Sequence, residues 1–191
     1  ELIVEGITHS TITDDEGYFI FQLDYSLLNK KVDLVKLDVR IPSQSPVKAE
    51  LIQIYSEYIV VSDIDDTIIK TQVSSILKLL SNTIFRNQYQ RTAIKGMAEV
   101  YQYLRSTYRA NFFYISKSPH NLYTYIVDFL VFNKYPIGSV ILRDFGWHLL
   151  NNRSSFGEKY DELDKLYNKF PTKKFILVGD AAEKDADIYS D

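Results

Sequence analysis

The 191-residue sequence has no cysteine. Structural disulfides and thiolate metal sites are thereby excluded, and a chain of this length buries a core without such staples. The redox compartment stays open, because a cysteine-free protein tolerates either environment. Histidine is scarce: three are present, at positions 9, 120 and 148, and their separation argues against a histidine-based metal site. There is no excess of positive charge either. Twenty-two Lys and Arg against 25 Asp and Glu leave a formal net charge of -3 and a pI near 5.7. A nucleic-acid surface, which usually needs a concentrated basic face, is disfavoured. Long apolar runs are also missing. "YIVDFLVF" at 125–132 is cut by Asp128, well short of the roughly 18–20 residues that span a bilayer, so no transmembrane helix is expected. The opening "ELIVEG" does not look like a signal peptide and has no initiating methionine, which fits a cut end rather than a natural one. No internal repeat or low-complexity tract stands out.

What is present divides into two styles of sequence. Residues 1–56 alternate polar and apolar, most clearly in "VKLDVRI", where Val35, Leu37, Val39 and Ile41 share one face of a strand and Lys36, Asp38 and Arg40 the other. "TDDEGYFIFQL" joins a turn-forming Asp14, Asp15 and Gly17 cluster to an aromatic strand, a hairpin signature. A small antiparallel β unit is expected there, with "PSQSPVK" at 42–48 as a loop inside it. From residue 57 onward, single apolar strands alternate with helical patterns, which predicts βαβ units on a parallel sheet. The strands are "YIVVS", "ANFFYIS", "GSVILRD" and "KKFILVGD". The helices are "GMAEVYQYLRSTY", with Met97, Val100, Tyr101 and Leu104 expected on the core face, and "SPHNLYTYIVDFLVFN".

One segment is costly. "VVSDIDDTIIKT" at 60–71 sets Asp63, Asp65 and Asp66 directly behind an apolar run. Desolvation and mutual repulsion oppose that placement unless a cation or a hydrogen-bonded turn compensates it. In a parallel sheet, ligands bind beyond the carboxyl ends of the strands, where loops converge. The polar residues ending the four strands, Asp63 and Asp65, Ser116, Arg143 and Asp144, and Asp180, should therefore meet in one crevice. A calcium loop starting at Asp63 is excluded, because its sixth position is Ile68 rather than Gly and its twelfth Ser74 rather than Glu. A D-x-D of the glycosyltransferase kind explains neither Lys159 nor "VGDAAEKD". Taken alone, an acidic pair behind a strand is also an ordinary turn or helix cap.

Asp63-x-Asp65-x-Thr67, Ser116 closing a second strand, Lys159 near a helix start and "GDAAEKD" closing a later strand resemble the four motifs of the haloacid dehalogenase superfamily. Within it, "SDIDDTIIKT", "GMAEVY", "YISKSPHNLY", "LRDFG" and "VGDAAEKDADIY" resemble the catalytic domain of phosphatidate phosphatases of the actin patch protein 1 type, over about residues 57–191. The resemblance implies a Rossmann-like α/β core with helices on both faces of a parallel sheet and a small or absent cap. It implies Asp63 as nucleophile and Asp65 as general acid and base, since two positioned carboxylates can divide those tasks. Thr67 would orient the Asp63 loop, and Thr67, Ser116 and Lys159 would hold the phosphoryl group, Lys159 serving also in catalysis as a fixed positive charge. Mg²⁺ is the implied cofactor, on the Asp63 carboxylate, the Asp65 carbonyl and Asp180. The family tends to have serine and glycine where Ala181 and Ala182 stand here.

Several residues keep two readings. Lys165, Lys173 and Lys174 compete with Lys159. Asp185 either orients a ligand or begins a helix, and Arg143 with Asp144 either shapes a headgroup pocket or holds a loop. His120 is a third acid/base or an ordinary residue in a helix's first turn. "SSILKLLSNTIFRN" puts Ile76, Leu77, Leu80 and Ile84 on one stripe flanked by Lys70, Lys78 and Arg86, suited to core packing or to an anionic membrane surface. The expectation is a cytoplasmic phosphomonoesterase acting on phosphatidate, peripheral at membranes. Its competitors are the same chemistry on a soluble phosphomonoester and a non-catalytic interaction module. The chain stops at "DIYSD", where such a sheet often continues with a helix and strand, so a piece of a longer protein is also expected.

Overall fold

The computed structural model describes residues 1–4, 7–13, 21, 34–39, 47–52, 54–65, 67–69, 93–143 and 155–179. The chain divides into two units, Glu1–Tyr55 and Ser56–Asp191.

In the first unit four strands, β1 (Leu2–Val4), β2 (Ile7–His9), β3 (Leu34–Val39) and β4 (Val47–Ile52), form an antiparallel sheet in the order β2-β1-β3-β4. The alternating "VKLDV" segment is β3. It pairs with β4 from Leu34↔Ile52 to Val39↔Val47, so the last two residues of "PSQSPVK" belong to β4. The expected hairpin at Asp14–Gly17 lies outside the described residues.

In the second unit β5 (Tyr58–Asp63), β6 (Asn111–Pro119), β7 (Ser139–Arg143) and β8 (Lys174–Val178) form a parallel sheet in the order β7-β6-β5-β8. The helices are α1 (Met97–Tyr108), α2 (Tyr123–Phe132) and α3 (Ser155–Lys169), with a short 3-10 turn at His120–Leu122. The expected α/β class and parallel sheet are borne out. β5 is central and buried from Ile59 to Asp63, as its unbroken apolar composition requires of a strand covered on both faces.

The period of two decides which side chain meets which helix. Val60, Phe112 and Tyr114 point to the face covered by α1 and α2, where they pack with Tyr101, Ile126 and Phe129. Phe113 points the other way and meets Phe170, just past α3, at a ring separation of 6.1 Å, while Phe175 meets Tyr167 of α3 at 4.3 Å. Helices thus cover both faces, as right-handed crossovers demand when the strand order reverses between β5 and β8. Each wholly buried Phe or Leu in these layers contributes about 1.5–3 kcal/mol.

Two local features differ from the sequence reading. Val100 is 51% exposed, whereas Tyr101 is fully buried and Met97, Ala98 and Leu104 pack against the core. A residue one step from Tyr101 stands about 100° around the helix, which carries Val100 off the core stripe. Strand β6 also continues past Ser116 to Pro119, with a register shift between the two against β7.

Candidate functional site

The order β7-β6-β5-β8 makes β5 and β8 neighbours although they are far apart in sequence, the chain having passed from β5 to β6 and β7 on the other side before it returns to β8. A crevice at the carboxyl ends of two such strands is where open α/β sheets bind ligands. Asp63 is the last residue of β5, and Gly179 follows the last residue of β8.

Beyond Asp63 the chain makes one tight turn. The amides of Ile68 and Ile69 both donate to the Ile64 carbonyl, at 3.1 Å each. Ile64, Ile68 and Ile69 are buried and anchor the loop in the core, and the Ile68 carbonyl accepts from the Ile94 amide. A single turn brings residues four apart to one side. The Thr67 hydroxyl accordingly donates to Asp63 Oδ2 at 3.3 Å. Across the sheet, Ser116 Oγ donates to Asp65 Oδ2 at 2.8 Å and accepts from the Ser118 amide at 3.0 Å. A register shift against β7 follows Ser116.

Asp63 and Asp65 are 2% and 7% exposed, and Thr67, Ser116 and Ser118 are equally buried. Three of the residues expected in one crevice, Asp63, Asp65 and Ser116, are therefore brought together, with Thr67 on Asp63. Their carboxylate, carbonyl and hydroxyl oxygens, with no sulfur or imidazole among them, form a donor set that fits a hard cation such as Mg²⁺. Among the described residues no group of three or more His, Asp or Glu converges. The expected third carboxylate, Asp180, lies outside them, as do Asp66, Asp144 and Asp185, the 74–87 stripe and any cap within 70–92.

Lys159 is the fifth residue of α3, in its second turn, and Arg143 is the last residue of β7. Of the competing lysines, Lys165 pairs with Glu162, and Lys174 pairs with Glu57 at 2.7 Å at the amino end of β8, the end of the sheet away from Asp63. His120 is exposed in the 3-10 turn after β6.

Two residues with a place at the site were not legible as such. Ser62 is fully buried, with Oγ 2.6 Å from the Tyr101 hydroxyl and 2.7 Å from the Asp63 carbonyl. Tyr101 reads from sequence as a member of an apolar stripe. Burial pushes its hydroxyl well above the ordinary tyrosine range, with the Ser62 contact opposing and the charges of Tyr135 and Asp63 adding to the shift. The one available signal was a serine and a tyrosine each set into an apolar pattern, which names no partner.

The profile of the family described as "Phosphatidate phosphatase APP1, catalytic domain" matches residues 58–191. The chain belongs to this family. The resemblance carried by the five sequence blocks is borne out by that match. Among curated proteins, the chain is 29% identical over 185 residues to the Saccharomyces cerevisiae protein named "Phosphatidate phosphatase APP1", and 24% identical over 190 residues to the Schizosaccharomyces pombe "Uncharacterized protein C29B5.04c". These alignments cover 93% and 94% of the chain but 31% of each relative. The chain thus spans about a third of the length of these two relatives, and in both the similarity extends beyond the part matched by the APP1 catalytic-domain profile. Two solved structures of the class C acid phosphatase from Bacillus anthracis, one with tungstate bound, show partial similarity at TM-scores of 0.44 and 0.39 and 14% identity. They cover 66% and 71% of this chain and 53% and 73% of theirs.

Proposed function

We propose that this chain is the catalytic part of a Mg²⁺-dependent phosphatidate phosphatase, releasing phosphate and diacylglycerol through an aspartyl-phosphate on Asp63. The observation that carries the reading is the buried Asp63 and Asp65 pair on one tight turn at the switch point, each carboxylate held by a hydroxyl from Thr67 or Ser116, in a chain of the APP1 catalytic-domain family.

Asp63 attacks phosphorus as its ester oxygen departs, and Asp65, protonated at that moment, gives its proton to the leaving oxygen. Asp65 then takes a proton from the water that attacks the aspartyl-phosphate, which frees phosphate and restores Asp63. The Thr67 hydroxyl holds Asp63 Oδ2 and so restricts rotation of the carboxylate. Ser116 has a single hydroxyl proton, which it donates in a hydrogen bond to Asp65 Oδ2 in the resting site. A phosphoryl oxygen would compete for that proton, and it gains the contact when Asp65 is itself protonated and no longer the stronger acceptor. Lys159 would place fixed positive charge beside the phosphoryl group. The Asp63 carboxylate, the Asp65 carbonyl and Asp180 would hold Mg²⁺. When bound, the ion favours ionised Asp63 and offsets charge on the phosphoryl oxygens.

The test is Mg²⁺-dependent phosphate release from phosphatidate in mixed micelles, with a water-soluble phosphomonoester and Asp63→Asn beside it. Asparagine keeps the shape and removes the nucleophile, so release from the lipid should fall by at least about a thousandfold. Release from the soluble ester alone would retain the mechanism and overturn the lipid substrate. No release from either would overturn the enzyme and return the interaction module.

A further inference from the structure

Behind Asp63, on the α1 face of the sheet, lies a buried polar contact that the proposed chemistry does not use. Ser62 Oγ lies 2.7 Å from the Asp63 carbonyl oxygen and 2.6 Å from the Tyr101 hydroxyl oxygen, and Ser62 and Tyr101 are both 0% exposed. A carbonyl can only accept and a serine hydroxyl carries one proton, so that proton goes to Asp63. The Tyr101 hydroxyl is then the donor to Ser62 Oγ. The two bonds run in one direction, from α1 through the side chain of Ser62 to the backbone of Asp63.

The far side of the same peptide unit is also held. Its amide, Ile64 N–H, donates to the Ile115 carbonyl at 3.2 Å. The Asp63–Ile64 peptide plane is thus gripped at its oxygen by the Tyr101–Ser62 pair and at its nitrogen by β6. A peptide plane fixed at both ends fixes the ψ angle of Asp63, and with it the direction in which the residue's side chain leaves the backbone. A serine bonding to the carbonyl of the next residue gives little rigidity by itself, because its χ1 is free to rotate. The donation from Tyr101, itself wedged between Phe112 at 5.5 Å and Tyr135 at 5.6 Å, locks that rotamer. Consecutive donors and acceptors also polarise one another, so the loss of either member weakens both bonds.

We propose that Tyr101 is a positioning residue for Asp63, acting through Ser62 to set the plane of the Asp63–Ile64 peptide. The kinetic half of this inference rests on the phosphatase reading, while its structural half does not. Tyr101 touches no reacting atom, so its removal should alter turnover and leave substrate binding unchanged. Misaiming a reacting group by a fraction of an ångström is enough to slow turnover severely.

The experiment uses the whole chain with Asp labelled at the carbonyl carbon and Ile at nitrogen, so that NMR selects Asp-Ile peptide bonds. The sequence has two, Asp63–Ile64 and Asp187–Ile188, and the second is an internal control. Tyr101→Phe keeps the ring and removes the donor. It should move the Asp63 carbonyl resonance, leave the Asp187 resonance in place, and lower kcat about tenfold with KM within about twofold. Ser62→Ala should do the same, Ser62→Thr should restore the wild-type signal, and the double variant should be no worse than Ser62→Ala alone, since both act through one link. An unmoved Asp63 resonance in Tyr101→Phe, unchanged kcat, or losses that add in the double variant would overturn the proposal. If the wild type releases no phosphate from any ester, the phosphatase reading fails, and the carbonyl resonance still decides the relay. If Tyr101→Phe does not fold, the Ser62 pair of variants carries the same decision.

Discussion

Asp63, Asp65 and Thr67 could be placed together from the chain alone because everything that joins them is local. One residue separates each from the next, and a single hydrogen-bonded turn returns Thr67 to Asp63. Ser116 is a different case. It reaches Asp65 across 51 positions and a register shift in β6, and the sequence offers only its place near a strand end. Ser116→Ala removes the proton that both Asp65 and an incoming phosphoryl oxygen would use. Loss of one donor to developing charge costs on the order of a hundredfold, so kcat measured by phosphate release should fall by about that factor. A fall confined to KM would show instead that Ser116 holds the ground state alone.

Helix ends and strand starts carry the next set of expectations. α2 closes with Lys134 in the left-handed region at φ 61°, with the Lys134 amide on the Val131 carbonyl and the Tyr135 amide on the Leu130 carbonyl at 2.9 Å. This is the arrangement that usually takes glycine, and a side chain there strains the backbone. Lys134 is exposed and its carbonyl, which accepts from Gln102, would be kept. Lys134→Gly should therefore raise stability by about 0.5–1 kcal/mol, the relieved strain being offset in part by the entropy of an unfolded glycine. A rise of the denaturation midpoint checks it. Gly138 behaves oppositely. A Cβ there would stand 2.5 Å from the Phe112 carbonyl oxygen, a backbone atom that cannot step aside. Gly138→Ala should push β7 away from β6 and cost roughly 1–3 kcal/mol. An unchanged midpoint would mean that the start of β7 is looser than its packing indicates.

The core of the second unit is unusually phenolic. Tyr101, Tyr114 and Tyr135 are all buried together, and Tyr114 donates to the Pro136 carbonyl at 2.8 Å. Burial, ahead of the neighbouring charges, raises the Tyr135 hydroxyl to about 12 and those of Tyr101 and Tyr114 further. The unfolded chain ionises at the ordinary value of 10.0. A group whose folded value is raised contributes its full stability below the unfolded value and loses it as pH climbs from 10 through 12. Three such groups should remove roughly 4 kcal/mol between pH 9 and pH 11, at up to about 1.4 kcal/mol per group per pH unit. Urea midpoints at the two pH values measure this. Equal midpoints would show that the three phenols are reached by solvent. No helix among the described residues is long and apolar enough to cross a membrane.

The sequence by itself determined what depends on neighbours in the chain. Period-two alternation produced β3, unbroken apolar runs produced β5 and β8, and the spacing of "SDIDDT" produced the turn that joins Asp63 to Thr67. It also determined family, because five short blocks in order are specific even where no fold is known. Tertiary structure decided everything that needs a partner from elsewhere. The strand order that sets β8 beside β5, the contact of Ser116 with Asp65, the exposure of Val100 and the relay from Tyr101 through Ser62 all depend on elements 39 or more positions apart or on the exact turn of a helix against a sheet. A hydroxyl in an apolar pattern shows that a partner is needed, since an unpaired buried hydroxyl is costly. Only the packed chain shows which partner it is.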